Sequence, residues 1–190
     1  MQHMIYRFIV TLCIVATVAG CKKSISSFHV SSTDGKETDL KTLFENKATV
    51  FVFLDPECPI SQNYTGILNH LSSQFENSKV KFYGVIPGSN NTAMAVNAFV
   101  SNYKISYEVL LDDKLILTRY FDAAKTPEVF VIDEAENVIY SGAIDNWAVD
   151  LGKKRTVITA HYLQDALSAK ISNTEIKIKK TDAVGCIIER

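Results

Sequence analysis

A continuous run of apolar and β-branched residues at 48–54 ("ATVFVFL") is the feature that most constrains the fold of this chain. A strand that is apolar on both faces must be covered on both sides, which is typical of the parallel sheets of α/β proteins. A similar run follows at 80–86 ("VKFYGVI"). Between the two, apolar residues recur at steps of three and four from about 59 to 75, which predicts a helix.

The rest of the chain continues this alternation. The pattern predicts a short strand at 27–30, a short helix at 39–46, a helix at 92–103, a strand at 107–111, a helix at 114–121, a strand at 128–133 with a hairpin partner at 137–144, a last helix at about 155–169, and an exposed edge strand at "EIKIKK". This order predicts an α/β fold with a central, mainly parallel sheet, a C-terminal hairpin and flanking helices.

The chain length and charge limit the possible architectures and partners. With 190 residues, one domain over about 27–190, including a tail from about 171, is expected. The net charge of −1 gives no electrostatic reason to expect a nucleic-acid partner.

The N-terminal segment does not belong to the predicted domain. After Arg7, an apolar run at 8–20 is shorter than the ~20 residues that span a bilayer, and it fits a secretory signal. It ends in "VAGC", which resembles the bacterial lipobox. That resemblance implies a signal peptide at 1–20, an acylated Cys21 and a tether at 21–26, hence lipid anchoring on the extracytoplasmic side of the bacterial cell envelope. An ordinary signal peptide with a chance cysteine is the alternative.

Two of the four cysteines would remain in the mature domain. Cys13 leaves with the signal peptide and Cys21 carries lipid, so Cys58 and Cys186 remain outside the reducing cytosol. Such thiols are candidates for a disulfide or for redox chemistry. The sequence contains no Cys-x-x-Cys or His-x-x-x-His pair, so no metal or other cofactor is expected.

Cys58 occupies a chemically useful position in the predicted fold. It follows the strand at 48–54 and precedes Pro59, which suits the first turn of a helix. Open α/β sheets place their sites at the carboxyl ends of strands, and a helix N-terminus lowers the pKa of a cysteine. Cys58 is therefore predicted to be a reactive nucleophile, the alternative being a structural buried cysteine.

The motif around Cys58 resembles a known superfamily. The strand, the "CPIS" at a helix start and the later "KTPEVFVID" resemble the thioredoxin-like superfamily, and more narrowly the extracytoplasmic redoxin-domain proteins of the alkyl hydroperoxide reductase and thiol-specific antioxidant group. The resemblance covers about 27–170. It implies that Pro127 forms a cis peptide bond with Thr126, faces the reactive cysteine and helps to bind an extended substrate segment.

Two departures from the family patterns affect the predicted chemistry. Thioredoxins have Cys-x-x-Cys, whereas the fourth position here is Ser61, which either donates a hydrogen bond to the Cys58 thiolate or serves as a first-turn hydroxyl. The peroxidatic motif Pro-x-x-x-Thr-x-x-Cys is matched by Phe51 and Asp55, so the peroxide pocket is not encoded. Thiol–disulfide exchange needs only an accessible low-pKa thiolate and a second thiol.

The C-terminal "TDAVGCIIER" carries the second thiol. Val184, Ile187 and Ile188 are too apolar for a free tail, so the segment is expected to pack on the domain. Its Gly-Cys followed by two aliphatic residues is similar to the C-termini of some redoxin-domain proteins. Cys186 is thus either a resolving thiol or a small apolar residue in a packed tail.

These observations lead to three functional hypotheses. The first is a membrane-anchored thiol–disulfide oxidoreductase in which Cys58 is the nucleophile and Cys186 resolves. The second is a peroxiredoxin-like thiol peroxidase. The third is a non-catalytic module that binds copper(I), which suits soft thiolates, or a protein partner. The expected partners are protein thiols or disulfides, a small thiol or a peroxide, and the membrane through the lipid on Cys21.

Overall fold

The computed structural model describes residue 24 and residues 29–33 and 35–190. The predicted signal peptide, Cys21 and most of the tether lie outside the described residues, as do the first two residues of the strand predicted at 27–30. Within the described part, no helix is both long and apolar enough to cross a membrane.

The described residues alternate between strands and helices. In chain order the elements are β1 (His29–Ser32), β2 (Glu37–Asp39), a 3₁₀ helix (Leu40–Glu45), β3 (Ala48–Phe53), α1 (Pro59–Phe75), a 3₁₀ turn (Glu76–Ser78), β4 (Val80–Pro87), α2 (Ala93–Asn102), β5 (Glu108–Asp112), α3 (Ile116–Phe121), β6 (Lys125–Thr126), β7 (Glu128–Asp133), β8 (Val138–Gly142), β9 (Ala148–Asp150), β10 (Lys153–Lys154), α4 (Tyr162–Ile171) and β11 (Cys186–Ile187).

The main sheet places β3 among its central strands. Its order is β2-β1-β5-β4-β3-β7-β8, with β3, β4 and β5 parallel and the other neighbouring pairs antiparallel. The predicted α/β architecture is confirmed. The sheet is mixed, because the N-terminal hairpin and the hairpin of β7 and β8 add antiparallel strands on both sides of the parallel centre.

The core lies on both faces of β3, all six residues of which are buried. Val50 and Val52 face a cluster that includes Leu68 of α1. Phe51 and Phe53 face a second cluster on the opposite side. This two-sided burial is what the uninterrupted apolar run requires, because every side chain along the strand needs an apolar neighbour.

Two predicted elements differ from the structure. The last helix begins at Tyr162, not near 155, because β9 and β10 form a ribbon and the chain then returns along the side chain of Asn146. That side chain accepts from the backbone N–H of Thr159 at 3.0 Å. The edge strand predicted at "EIKIKK" was wrong: the segment makes one isolated bridge, between Lys180 and Ser141 of β8.

Candidate active site

Cys58 lies at the carboxyl end of the central strand β3. It is the N-cap residue of α1, and its backbone N–H donates to the Asp55 carbonyl at 3.1 Å. The Asp55 carboxylate accepts from the backbone N–H of Glu57 at 2.9 Å and so closes the same turn. Only 1% of Cys58 is exposed. The strand and the helix start thus hold the cysteine in the predicted position, but beneath the surface.

The backbone of Thr126 faces the sulfur of Cys58. The Thr126–Pro127 peptide bond is cis, as the resemblance implied. The Cys58 thiol donates to the Thr126 carbonyl oxygen, with Sγ 3.1 Å from that oxygen. Thr126 and Pro127 are both buried.

The C-terminal tail brings Cys186 to this site. β11 pairs antiparallel with β6, with Cys186 opposite Thr126 and Ile187 opposite Lys125. Cys186 is half-buried, and both cysteines are free thiols. The tail packs on the domain through Ile188, which is 7% exposed within the apolar cluster on one face of β3, whereas Ile187, expected to pack as well, is 81% exposed.

The two thiols differ in acidity. Burial opposes ionisation of Cys58, but hydrogen bonds from the thiol and backbone N–H of Cys186, and from the backbone N–H and hydroxyl of Ser61, outweigh it and lower the pKa of the Cys58 thiol. Burial, the hydrogen bond with Cys58 and the charges of Cys58 and Asp55 raise the pKa of Cys186 to about 12. Of the two thiols, Cys58 is therefore the more acidic.

Ser61 and Pro59 have different local roles. Ser61 is fully buried, and its Oγ accepts from the backbone N–H of Asp55 at 3.3 Å while its hydroxyl hydrogen-bonds to Cys58. Ser61 thus fits both roles considered from the sequence. Pro59 is exposed at the first position of α1, where its fixed φ suits the helix start.

A cleft of about 230 Å³ lies next to the site, although neither Cys58 nor Cys186 lines it. It is lined by Asp55, Glu57, Pro87, Gly88, Asn90, Asn91, Thr126, Ile187, Ile188 and Glu189. The space lies between the turn that precedes Cys58 and the strand that carries Cys186. Among the described residues, no group of three or more His, Cys, Asp and Glu side chains could hold a metal ion.

Sequence reasoning missed two contributors to the site. The backbone of Gly185 lies against Thr126, where a β-carbon would overlap the Thr126 carbonyl. The usable signal was a glycine directly before a cysteine in an otherwise apolar tail. The second contributor is the buried pair of Tyr64 and Asp145, joined by a hydrogen bond of 2.5 Å next to a small cavity that Pro127 lines. No sequence spacing signalled this pair.

Comparisons with known proteins identify the family and the fold of this chain. The family model described as Redoxin matches residues 22–150. A hypothetical protein from Sinorhizobium meliloti superposes with a TM-score of 0.75 at 20% identity, over 85% of this chain and 89% of that chain.

Two further solved structures have named activities. One is a secreted Mycobacterium tuberculosis disulfide oxidoreductase homologous to E. coli DsbE (TM-score 0.55, 18% identity, 77% of this chain and 95% of that chain). The other is the Xanthomonas campestris bacterioferritin comigratory protein, studied for alkyl peroxide reduction (TM-score 0.53, 18% identity, 60% and 77%). No curated protein sequence matches the chain. The predicted thioredoxin-like fold is confirmed.

Proposed function

This chain belongs to the redoxin family, and we propose that it is a thiol–disulfide oxidoreductase in which Cys58 is the nucleophile and Cys186 is the resolving thiol. The observation that carries the proposal is the position of Cys186: β11 places it opposite Thr126, and the Thr126 carbonyl accepts the hydrogen bond from the Cys58 thiol. The fold places this pair at the carboxyl end of a central strand, where α/β sheets carry their sites.

The proposed reaction transfers two electrons from the dithiol to a disulfide. The Cys58 thiolate attacks one sulfur of the substrate, forms a mixed disulfide and expels the other sulfur as a thiolate, which takes up a proton. Cys186 then loses its proton and attacks Cys58 Sγ. The mixed disulfide breaks, the second substrate thiolate leaves, and a Cys58–Cys186 disulfide remains.

Single-turnover oxidation of the full chain tests this assignment. Reduced protein is mixed with excess 2-hydroxyethyl disulfide, quenched in acid and mapped without reduction. Wild type should yield a fragment that joins the peptides containing "DPECPIS" and "AVGCIIER". Cys186→Ser should stop at the mixed disulfide on Cys58, and Cys58→Ser should not react. If both wild-type thiols stay free for alkylation, Cys186 is only a packing residue and the proposal fails.

Peroxide reduction is the second candidate, and the burial of Cys58 favours it. A thiol that is 1% exposed beside a cleft of about 230 Å³ suits a small oxidant. Attack on a hydroperoxide would give a sulfenic acid and release water or an alcohol, and Cys186 would then expel water to form the same disulfide. The Asp55 carboxylate stands where peroxidatic sites have threonine, and its charge opposes a thiolate. Slow turnover of hydrogen peroxide is therefore expected.

Membrane anchoring completes the proposal. We propose that Cys21 carries lipid and holds the domain at the extracytoplasmic surface of the bacterial envelope, on the basis of "VAGC" at the end of a short apolar run.

The third hypothesis, copper(I) binding, would use Cys58 and Cys186 as ligands. Titration with copper(I) before and after alkylation of both cysteines distinguishes it, because only a metal-binding role requires tight stoichiometric uptake.

A further inference from the structure

The C-terminal strand covers the sulfur that would react first. β11 pairs with the two residues of β6, and the Thr126 carbonyl between the strands accepts the hydrogen bond from Cys58. Cys58 is 1% exposed and Thr126 2% exposed. While β11 is in place, a substrate backbone cannot pair with β6 next to the Cys58 sulfur, because β11 already occupies that edge of β6.

A cleft next to the site has room for a small molecule. The cleft of about 230 Å³ is lined by Asp55 and Glu57 from the turn before Cys58, by Thr126 from β6 and by Ile187 from β11. This volume accommodates a few heavy atoms and not a folded chain. The cleft exists while the strand is docked, but Cys58 does not line it, so a small disulfide in the cleft reaches the sulfur only after a local motion of the turn at 55–57 or of Ile187.

Contacts made by the residues on both sides of β11 hold this strand against the domain. The backbone N–H of Ile188 donates to the Ala124 carbonyl at 2.9 Å, and the Lys125 ammonium donates to the Ala183 carbonyl at 2.7 Å. Arg190 forms an exposed ion pair with Asp122 at 2.7 Å. Because β11 pairs with β6 in a two-stranded sheet of its own, it can leave β6 without breaking the main sheet.

We propose that the C-terminal strand determines substrate size: while β11 is docked on β6, the Cys58 site reacts with small-molecule disulfides or hydroperoxides, and a polypeptide disulfide reacts only after the strand leaves. This inference rests on the proposed function and names its substrate class. An undocked population of about 1% would slow polypeptide substrates about a hundredfold.

The rates at which a small disulfide and a polypeptide disulfide each oxidise the full chain in a single turnover test the proposal. The reduced protein is oxidised by 2-hydroxyethyl disulfide, a neutral probe chosen because Asp55, Glu57 and Glu189 line the cleft, or by insulin as a polypeptide disulfide. Each rate is divided by the rate at which dithiothreitol reduces the same compound. The normalised rate for insulin should be about a hundredfold lower in wild type. Equal normalised rates would overturn the proposal.

Variants of the tail contacts give a matched comparison. Arg190→Gln removes the ion pair with Asp122 and a hydrogen bond to the Ala123 carbonyl, and Lys170→Gln removes an ion pair of the same 2.7 Å length, with Glu134, on α4. Arg190→Gln should raise the insulin rate several-fold and leave the small-disulfide rate unchanged, whereas Lys170→Gln should change neither. A rise in both rates, or in neither, with Arg190→Gln would contradict a size-selecting strand.

Labelling separates this inference from the oxidoreductase assignment. In Cys186→Ser protein, Cys58 is alkylated with N-ethylmaleimide or with a maleimide carrying a long polyethylene glycol chain. The docked strand should slow the large reagent much more than the small one, and Ile188→Ala should reduce the difference. This result does not depend on turnover. If neither disulfide oxidises the wild type, the oxidoreductase proposal fails while the labelling still decides whether the strand excludes large reactants.

Discussion

Gly185 lies against Thr126 so closely that a β-carbon on the glycine would overlap the Thr126 carbonyl oxygen. The same oxygen accepts the hydrogen bond from the Cys58 thiol at 3.1 Å. The absence of a side chain at Gly185 therefore lets β11 approach β6 and brings Cys186 to Cys58. Here a steric requirement at one residue sets how closely the strand that carries Cys186 approaches Thr126 and Cys58.

Gly185→Ala should separate the two strands. The added methyl group meets backbone and not a flexible side chain, so β11 has to move. We expect slower formation of the Cys58–Cys186 disulfide and faster alkylation of Cys58, both measured by mass spectrometry against time. Gly66→Ala is the control, since Gly66 is exposed on α1 and a β-carbon there meets nothing within 4 Å. Rates equal to wild type in Gly185→Ala would show that the close approach is unimportant.

Ser61→Ala should raise the pKa of Cys58. Burial already opposes ionisation, so the thiolate depends on its hydrogen-bond donors, and the variant removes one of them. The alkylation rate of wild type should rise with pH through the lowered pKa of Cys58, so its profile should lie at lower pH than that of a free cysteine. In Ser61→Ala the whole profile should move to higher pH.

The raised pKa of Cys186 allows a pH titration of thiolate absorbance to be assigned to Cys58. Because burial and the neighbouring Cys58 raise the pKa of Cys186 to about 12, the thiolate absorbance that appears first as the pH rises should belong to Cys58. Ser73→Ala, a change at an exposed position of α1, is the control and should leave the profile where it is. An unchanged midpoint in Ser61→Ala would mean that its hydroxyl serves only the turn at Asp55.

Local patterns predicted the half of the site that follows β3. The apolar run at 48–54 predicts a buried strand, and the helical spacing after Pro59 predicts a helix. The position of Cys58 between the strand and the helix followed directly. The burial of Cys58 did not follow, because the covering strand comes from the other end of the chain.

The features that the sequence did not predict depend on contacts between residues far apart in the chain. Cys186 pairs with Thr126, 60 positions earlier (186 − 126), through a two-residue strand that is too short to have a period. The late start of α4 has a similar cause, because Asn146 binds the backbone of residues 159 and 160 and holds them out of a helix. Neither contact can be recognised from the residues that surround it in the sequence.

Asp112→Ala should destabilise the fold strongly. This carboxylate is 1% exposed and caps α3: Oδ1 accepts from the backbone N–H groups of Ile116 and Leu117, and Oδ2 accepts from the N–H and hydroxyl of Thr118. Removing it leaves buried donors without partners, which should lower the free energy of unfolding by about 2–4 kcal/mol. Urea unfolding followed by circular dichroism measures the change.

Asp113→Ala is the matched control for this prediction. The neighbouring aspartate is exposed, and its removal should change the free energy of unfolding by less than about 0.5 kcal/mol. If both variants unfold at the same urea concentration as wild type, the cap contributes little and packing alone holds α3 in place.

Cys21→Ala should prevent lipidation of the chain. Acylation requires the thiol, and cleavage before the cysteine depends on it in the lipobox that "VAGC" resembles. When the full-length gene product is expressed in a bacterium, the variant should accumulate as the unprocessed precursor and yield no acylated species in the detergent phase. Wild type should partition into that phase with a lipid-modified N-terminal peptide. Normal cleavage of the variant to a detergent-free product would instead identify 1–20 as an ordinary signal peptide, because such cleavage needs small residues before the cut and no thiol after it.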